Sequence, residues 1–191
     1  MNRFMIVVNP DKDTDSTVTN RIQSYLEAHG AACMVRDVFH LESSDWEALK
    51  KEQFDCVLVL GGDGTLLRMA GETEDIDIPL FGINLGTVGF LTEGEVANIE
   101  EILDRLLTDD FTIEERMMVT GTVTKADGTT YRKSALNDIV ISRAGFSRLI
   151  GLNVSVDGQV LDTYEADGVV ISTPTGSTGY IRLERLKKAA Q

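Results

Sequence analysis

The sequence predicts an α/β domain followed by an antiparallel β domain, and three observations carry that prediction. Continuous apolar runs alternate with helix-spaced segments as far as residue 107. From residue 112 the segments become short, alternate apolar with polar, and are joined by Asp-Gly turns. The charge changes at the same place: residues 1–110 carry 22 acidic and 8 basic side chains, and residues 111–191 carry 9 and 10. The boundary is therefore drawn near Asp109-Asp110, with an α/β domain over 1–110 and a β domain over 111–191.

Phe4-Met5-Ile6-Val7-Val8 has the continuous apolar character of a buried strand and stops at Asn9-Pro10. Residues 16–28 place Val18, Ile22, Tyr25 and Leu26 at helical spacing, with Gly30 following as a C-terminal cap. Residues 33–38 read as a second strand, and Trp46, Leu49 and Lys50 mark a short helix. Cys56-Val57-Leu58-Val59-Leu60 is a strand stopped by Gly61-Gly62, and a helix opens over 66–70. Leu80-Phe81-Gly82-Ile83-Asn84 is a strand stopped by Leu85-Gly86, and Ile99, Ile102, Leu103, Leu106 and Leu107 form one face of an amphipathic helix. Strands apolar on both sides, separated by helices, belong to a parallel sheet covered on both faces.

In the second half, residues 119–125 and 129–133 flank the hairpin signal Asp127-Gly128, and 149–156 and 159–163 flank Asp157-Gly158. Residues 136–142 and 169–172 complete the strands, and no segment there has convincing helical spacing before residue 181. Residues 181–191 form a basic, helix-prone tail.

A composition of 42% hydrophobic and 26% charged residues over 191 positions is that of a globular protein. The net charge of −13 repels nucleic-acid backbones and anionic lipid, which argues against both as partners while leaving room for a local anion pocket. No apolar run approaches membrane-spanning length, and no export signal precedes the first strand. Cys33 and Cys56 form no metal-spaced cluster and are expected to be reduced thiols in a cytoplasmic protein. His29 and His40 are expected on the surface, without catalytic partners.

Four segments could carry chemistry. Gly61-Gly62-Asp63-Gly64-Thr65 follows a buried strand, where ligands of open α/β sheets bind. Its glycines would let a phosphate approach the backbone, and Asp63 would face the ligand; the plainer alternative is a glycine turn with Asp63 capping the next helix. A second glycine loop, 84–91, ends in Phe90, read either as a ligand contact or as core packing. Thr173-Pro174-Thr175-Gly176-Ser177-Thr178-Gly179-Tyr180, after Asp167-Gly168 and a strand, reads as a rigid, donor-rich loop for phosphate or ribose, or as a solvated turn. Asn137-Asp138 could bind sugar hydroxyls or an adenine edge, or simply begin a strand. Neither G-x-x-x-x-G-K-[ST] nor G-x-G-x-x-G occurs.

Taken in order, these motifs resemble the NAD kinase family, the ATP/polyphosphate-NAD kinases. The Gly-Gly-Asp-Gly-Thr element is shared with diacylglycerol and sphingosine kinases, whereas the Thr-Pro-Thr-Gly-Ser-Thr segment at 173–178 is far more specific. The resemblance implies a Rossmann-like parallel sheet, then an all-β sandwich-like domain that is C-terminally incomplete. It implies transfer of a phosphoryl group from ATP or polyphosphate, with Mg²⁺ carried by the nucleotide, to the 2′-hydroxyl of the adenosine ribose of NAD. Asp63 would be the catalytic base. Gly61, Gly62, Gly64, Thr65 and Arg68 would hold donor phosphates. Asp63, Gly64, Phe90, Asn137, Asp138, Arg148, Glu165, Asp167, Thr175, Ser177, Thr178 and Tyr180 would contact NAD. A homo-oligomer, dimer or tetramer, is the implied assembly. The chain departs from the family pattern at Gly179, where relatives have Ala, and after Tyr180, where they continue into a Ser- and Gly-rich segment and further strands. That departure predicts loose packing in the β domain, weak NAD binding and poor phosphoryl transfer. A diacylglycerol-type lipid kinase and an inactive dinucleotide-binding remnant are the alternative readings.

Overall fold

Successive side chains of a strand point to opposite faces, so an uninterrupted apolar run needs cover on both. A computed structural model describes residues 1–51, 54–86, 89–145 and 149–177. Among them, β1 (Arg3–Val8), β2 (Ala32–Asp37), β3 (Cys56–Gly61), β4 (Leu80–Asn84) and β5 (Gly94–Glu95) pair in parallel in the order β2-β1-β3-β4-β5. Phe4, Ile6, Leu58, Leu60 and Ile83 point to one face, where Ile22 and Leu26 of α1 (Thr17–Ala28) and Ile99, Leu103 and Leu106 of α4 (Ile99–Leu107) cover them. Met5, Val7, Val57 and Val59 point to the other, under Leu49 of α2 (Ser43–Lys51) and Leu66 and Met69 of α3 (Asp63–Glu72).

The ends of α1 follow from local chemistry. Ser16 at its N-cap is left-handed (φ 56°) and makes no side-chain cap. Buried Asp13 takes that role instead, accepting the N–H of Val18 (3.1 Å) and Thr19 (2.8 Å) and the Thr19 hydroxyl (2.6 Å). Past the other end, Gly30 (φ 84°) donates to the Glu27 carbonyl and Ala31 to that of Leu26, a Schellman closure that favours glycine at the left-handed position. Helix α3 begins at Asp63 rather than near Leu66, so the glycine motif is the strand end and first helical turn instead of a free loop.

The chain divides into two compact units, Met1–Glu115 and Arg116–Gln191. The described part of the second unit contains antiparallel pairs: β6 (Val119–Thr124) with β7 (Thr130–Ala135), β8 (Asp138–Ser142) with β11 (Gly168–Ser172), and β9 (Ile150–Val156) with β10 (Gln159–Ala166). Asp157 (φ 51°) and Gly158 (φ 79°) have the paired left-handed dihedrals of a type I′ hairpin turn. Many apolar side chains of these strands face outward, Val160 at 78% and Leu161 at 65% exposure among them. The segment expected as a rigid, donor-rich loop instead forms a helical turn over residues 174–177. No described helix is long and apolar enough to cross a membrane.

Truncating a side chain from the doubly covered sheet should cost far more than truncating one from the outer strands. Leu58→Ala is expected to destabilise the protein by about 2–5 kcal/mol in urea unfolding, and Val160→Ala by at most about 0.5 kcal/mol. Equal losses would contradict the burial pattern.

Candidate functional site

The strand order reverses between β1 and β3: β1 continues outward to β2, and β3 continues the other way to β4. Chains leaving the carboxyl ends of two such strands diverge and open a crevice. A cleft of about 500 Å³ lies there. Its walls are Asn9 and Lys12 after β1, Val38 and Phe39 after β2, Gly62, Asp63, Gly64, Thr65 and Arg68 from the start of α3, and Gly89. Gly62, Asp63, Gly64, Thr65 and Arg68 are thus brought to one place, as the sequence motif suggested. Asn9, Lys12 and Phe39 had no motif to mark them, because strand adjacency is not written in local sequence.

Asp63 is the centre of the cleft's hydrogen bonding. Its carboxylate accepts the N–H of Phe90 at 2.7 Å, of Leu91 at 3.0 Å and of Thr92 at 3.2 Å, and the Thr92 hydroxyl at 3.3 Å. The capping alternative is therefore corrected: Gly62 is the N-cap, and Asp63, one residue on, bonds across to the loop after β4. Burial alone would push this carboxyl upward, but the three backbone N–H groups and the hydroxyl outweigh it and hold the group below its ordinary value. Phe90 contributes its N–H, while its side chain is 67% exposed, which rules out core packing and leaves the ring free for a ligand. Thr87 and Val88 lie outside the described residues.

The glycines serve close approach rather than unusual dihedrals. A Cβ on Gly61 would stand 2.3 Å from the Thr65 hydroxyl, and one on Gly89 would stand 2.1 Å from an Asp63 oxygen. None of Gly61, Gly62, Gly64 or Gly89 is left-handed, and a Cβ on Gly64 would meet nothing within 4 Å. Thr65 is buried, with a long hydrogen bond of 3.5 Å from the Asn9 side-chain amide that ties the loops after β1 and β3 together. The Arg68 guanidinium lies over the Phe39 ring, 5.8 Å from its centroid.

In the second unit, pairing of β8 with β11 sets Asp138 opposite Ser172 and so brings the Asn137-Asp138 and Thr173–Ser177 segments together. Buried Thr173 donates its N–H to the Asn137 carbonyl (2.9 Å) and its hydroxyl to that of Leu136 (2.6 Å). The same hydroxyl oxygen accepts the Gly176 N–H at 3.3 Å, and Ser177 N–H donates to the Thr173 carbonyl, so Thr173 caps a turn with Pro174 in its first position. A Cβ on Gly176 would lie 2.3 Å from the Asn137 carbonyl oxygen. Among the described residues the side chains of Asn137 and Asp138 make no hydrogen bond, whereas Thr175 receives one from Arg116 (3.5 Å) and the Ser177 hydroxyl donates to the Pro174 carbonyl (3.0 Å). Asp167 is ion-paired with Arg143 at 2.8 Å, a partner the motif did not reveal. Glu165 is exposed on β10, opposite Gly151. Arg148, Thr178 and Tyr180 lie outside the described residues.

Other reactive side chains are remote in character from this chemistry. Burial raises the thiols of Cys33 to about 11 and Cys56 to about 12, so neither is a nucleophile at neutral pH. His29 stacks on Tyr25, and exposed His40 pairs with Asp37 at 2.7 Å.

The Asp63 geometry sets a stability prediction. An asparagine offers one acceptor oxygen in place of two and turns an N–H₂ toward the loop amides, so Asp63→Asn should cost about 1–3 kcal/mol at neutral pH. The folded-state value of Asp63 is depressed, so its contribution is full above the unfolded value near about pH 4 and is lost as pH falls through the folded value. The melting-temperature gap between wild type and Asp63→Asn should therefore narrow below about pH 4. A gap that stays constant under acid would show that the ionised carboxylate is not the acceptor.

Comparison with known proteins bears on both units. The family model described as the ATP-NAD kinase N-terminal domain matches residues 4–111, and that for the ATP-NAD kinase C-terminal domain matches residues 136–182. An NAD kinase of Lachnoclostridium phytofermentans is 44% identical over 184 residues, covering 94% of this chain and 64% of its own length. One of Lachnospira eligens is 41% identical over 185 residues, covering 94% and 63%. The chain thus spans under two thirds of the length of these curated relatives. The crystal structure of yeast NADH kinase complexed with NADH superimposes with a TM-score of 0.75 over 95% of this chain and 60% of that one; at 22% identity this shows a shared fold. The match of the N-terminal family model to more than half of the sequence, over the unit that holds the cleft, establishes that this chain belongs to the ATP-NAD kinase family.

Proposed function

We propose that the protein transfers the terminal phosphoryl group of ATP, or of polyphosphate, to the 2′-hydroxyl of the adenosine ribose of NAD, giving NADP. The observation that carries this reading is one fixed carboxylate, Asp63, in a cation-lined cleft at the carboxyl ends of β1 and β3. The ribose hydroxyl loses its proton to Asp63, its oxygen bonds the phosphorus, and the bond to the leaving phosphate breaks. Of the two carboxylate oxygens, Oδ2 receives only the Phe90 N–H and keeps a lone pair for that proton. A carboxyl held below its ordinary value is a weak base, which suits a loose transition state in which the acceptor proton moves late. Most of the rate then comes from positioning and charge neutralisation.

In this reading Gly61, Gly62, Gly64, Thr65 and Arg68 take the donor phosphates. Gly64 keeps open space beside the backbone, and Arg68 supplies a cation. Phe90, Asn137, Asp138, Glu165, Asp167, Thr175 and Ser177 are assigned to NAD, together with Arg148, Thr178 and Tyr180. The unbonded Asn137 and Asp138 side chains and the exposed Phe90 ring favour this assignment; Asp167 would have to share its carboxylate with Arg143. Mg²⁺ is read as part of the donor substrate, bound by its phosphates, as the family resemblance implies. We also propose a cytoplasmic location, supported by the free thiols, and a homo-oligomeric assembly, supported by family membership.

The test is a coupled assay for NADP formation from NAD, with ATP·Mg²⁺ and polyphosphate as alternative donors. Wild type should form NADP at a low but measurable rate, as the departure after Tyr180 predicts, and Asp63→Asn should lose on the order of 10²–10⁴ from that kcat while NAD affinity, read by calorimetry, changes little. Near-normal turnover in Asp63→Asn would remove Asp63 as the base, and a wild type that forms no NADP would refute the activity.

A further inference from the structure

The cleft contains a cation that none of the motifs accounts for. Lys12 follows the Asn9-Pro10 turn after β1, and this turn is fixed at both ends. On the strand side the Asn9 N–H donates to the Leu60 carbonyl at 2.8 Å. Within the turn, the N–H groups of Lys12 and Asp13 both donate to the Asn9 carbonyl, at 3.0 and 3.3 Å. On the helix side buried Asp13 anchors the start of α1. Lys12 is therefore mounted on a braced turn.

Its ammonium lies close to two glycines, in van der Waals reach of one and closer to the other. A Cβ on Gly62 would stand 3.8 Å from Lys12 Nζ, and a Cβ on Gly86 would stand 3.2 Å from it. Gly62 follows β3 and Gly86 follows β4, so the one cation lies against both glycine loops. Among the described residues Lys12 has no ion pair, although Arg21, Arg36, Lys51, Arg105 and Arg143 each have a carboxylate partner. In a chain of 31 acidic and 18 basic side chains, an ammonium in a cleft with no described ion pair is charge available to a ligand. An ammonium offers three donors and no acceptor, which matches the oxygens of a phosphate chain.

We propose that Lys12 binds the condensed-phosphate chain common to ATP and inorganic polyphosphate, bridging the loops after β3 and β4. The inference rests on the reading of this cleft as the phosphoryl-donor site, and adds a residue from β1 to it. The contact is made by charge to the phosphates, so it is blind to the nucleoside at the other end.

The experiment titrates the full chain, as wild type, Lys12→Ala and Lys12→Arg, with tripolyphosphate, with ATP, with adenosine and with NAD by calorimetry. Wild type should bind tripolyphosphate and ATP. Lys12→Ala should weaken both by roughly tenfold or more, as loss of a charge-assisted contact implies, and Lys12→Arg should recover most of it. Adenosine and NAD affinities and the melting temperature should be unchanged, because the exposed Lys12 side chain makes no described hydrogen bond or ion pair. Unchanged tripolyphosphate binding in Lys12→Ala would overturn the proposal, as would an equal loss for NAD, a loss for ATP alone, or a wild type that does not bind tripolyphosphate. Lys12-dependent tripolyphosphate binding in a protein that forms no NADP would uphold the role of Lys12 and refute the proposed activity, so the two failures are distinguishable.

Discussion

Three backbone N–H groups and one hydroxyl converge on the carboxylate of Asp63, and the rest of the cleft is arranged so that they can. The acceptor stands on the first turn of α3 and the donors in the loop after β4, so β3 and β4 must be neighbours and their carboxyl ends level; the register pairs Gly61 with Asn84. The donors approach only because residue 89 has no Cβ, which would lie inside the Asp63 carboxylate. The helix turns directly off the strand because residue 61 also lacks one, leaving its place to Thr65. One acid thus requires two glycines and a strand order. The same bonds depress its proton affinity and fix its direction, so the group is charged and aimed before any ligand arrives.

A charged carboxylate in a phosphate site is repulsive unless cations offset it. Lys12 and Arg68 line the same walls, and they reach it from different elements, the turn after β1 and helix α3. Most other basic residues of the first unit are committed elsewhere: Arg21 to Glu100, Arg36 to Asp45, Lys51 to Glu47 and Arg105 to Asp110. The field outside the cleft is therefore acidic, and the field inside it is mixed. Such a distribution disfavours long polyanions laid along the surface, and it makes a net charge of −13 compatible with the phosphate binding proposed for the cleft.

Elements whose signal is local were legible in the sequence. β4 spans Leu80–Asn84 as its apolar run and flanking glycine indicate, and the Asp157-Gly158 turn adopts the dihedrals that such a pair favours. The start of α3 was not, because Asp-Gly-Thr has turn chemistry, whereas in the fold it forms the first helical turn with Thr65 set against Gly61. The hydroxyls, glycines and proline after Thr173 suggest a loop. The cap-then-proline order is nevertheless a helix-start signal, and the Thr173 hydroxyl does accept the Gly176 N–H. Lys12 and Asn9 were invisible for a deeper reason: they join the glycine motif only through the order β2-β1-β3-β4, which no window of sequence encodes. The donors to Asp63 are backbone amides, and an amide has no letter in the sequence.

The two motif clusters, one in each unit, share a principle of construction. Backbone groups and buried hydroxyls do the fastening, and glycines are placed where a fastened atom must come within contact of the chain. Gly89 faces the Asp63 carboxylate at a distance that excludes a Cβ, and Gly176 faces the Asn137 carbonyl in the same way, and neither is left-handed. Thr92 ties to Asp63 and Thr173 to the carbonyls of Leu136 and Asn137, each through a buried side chain. Fastening by these groups leaves other side chains uncommitted: Lys12, Asn137, Asp138 and the ring of Phe90 face no obligation within the described fold. A site whose rigidity came from its ligand-binding side chains would have to break those bonds to bind. Here the bonds that hold the geometry and the groups left to meet a ligand are largely different atoms, so binding need not first dismantle what positions it.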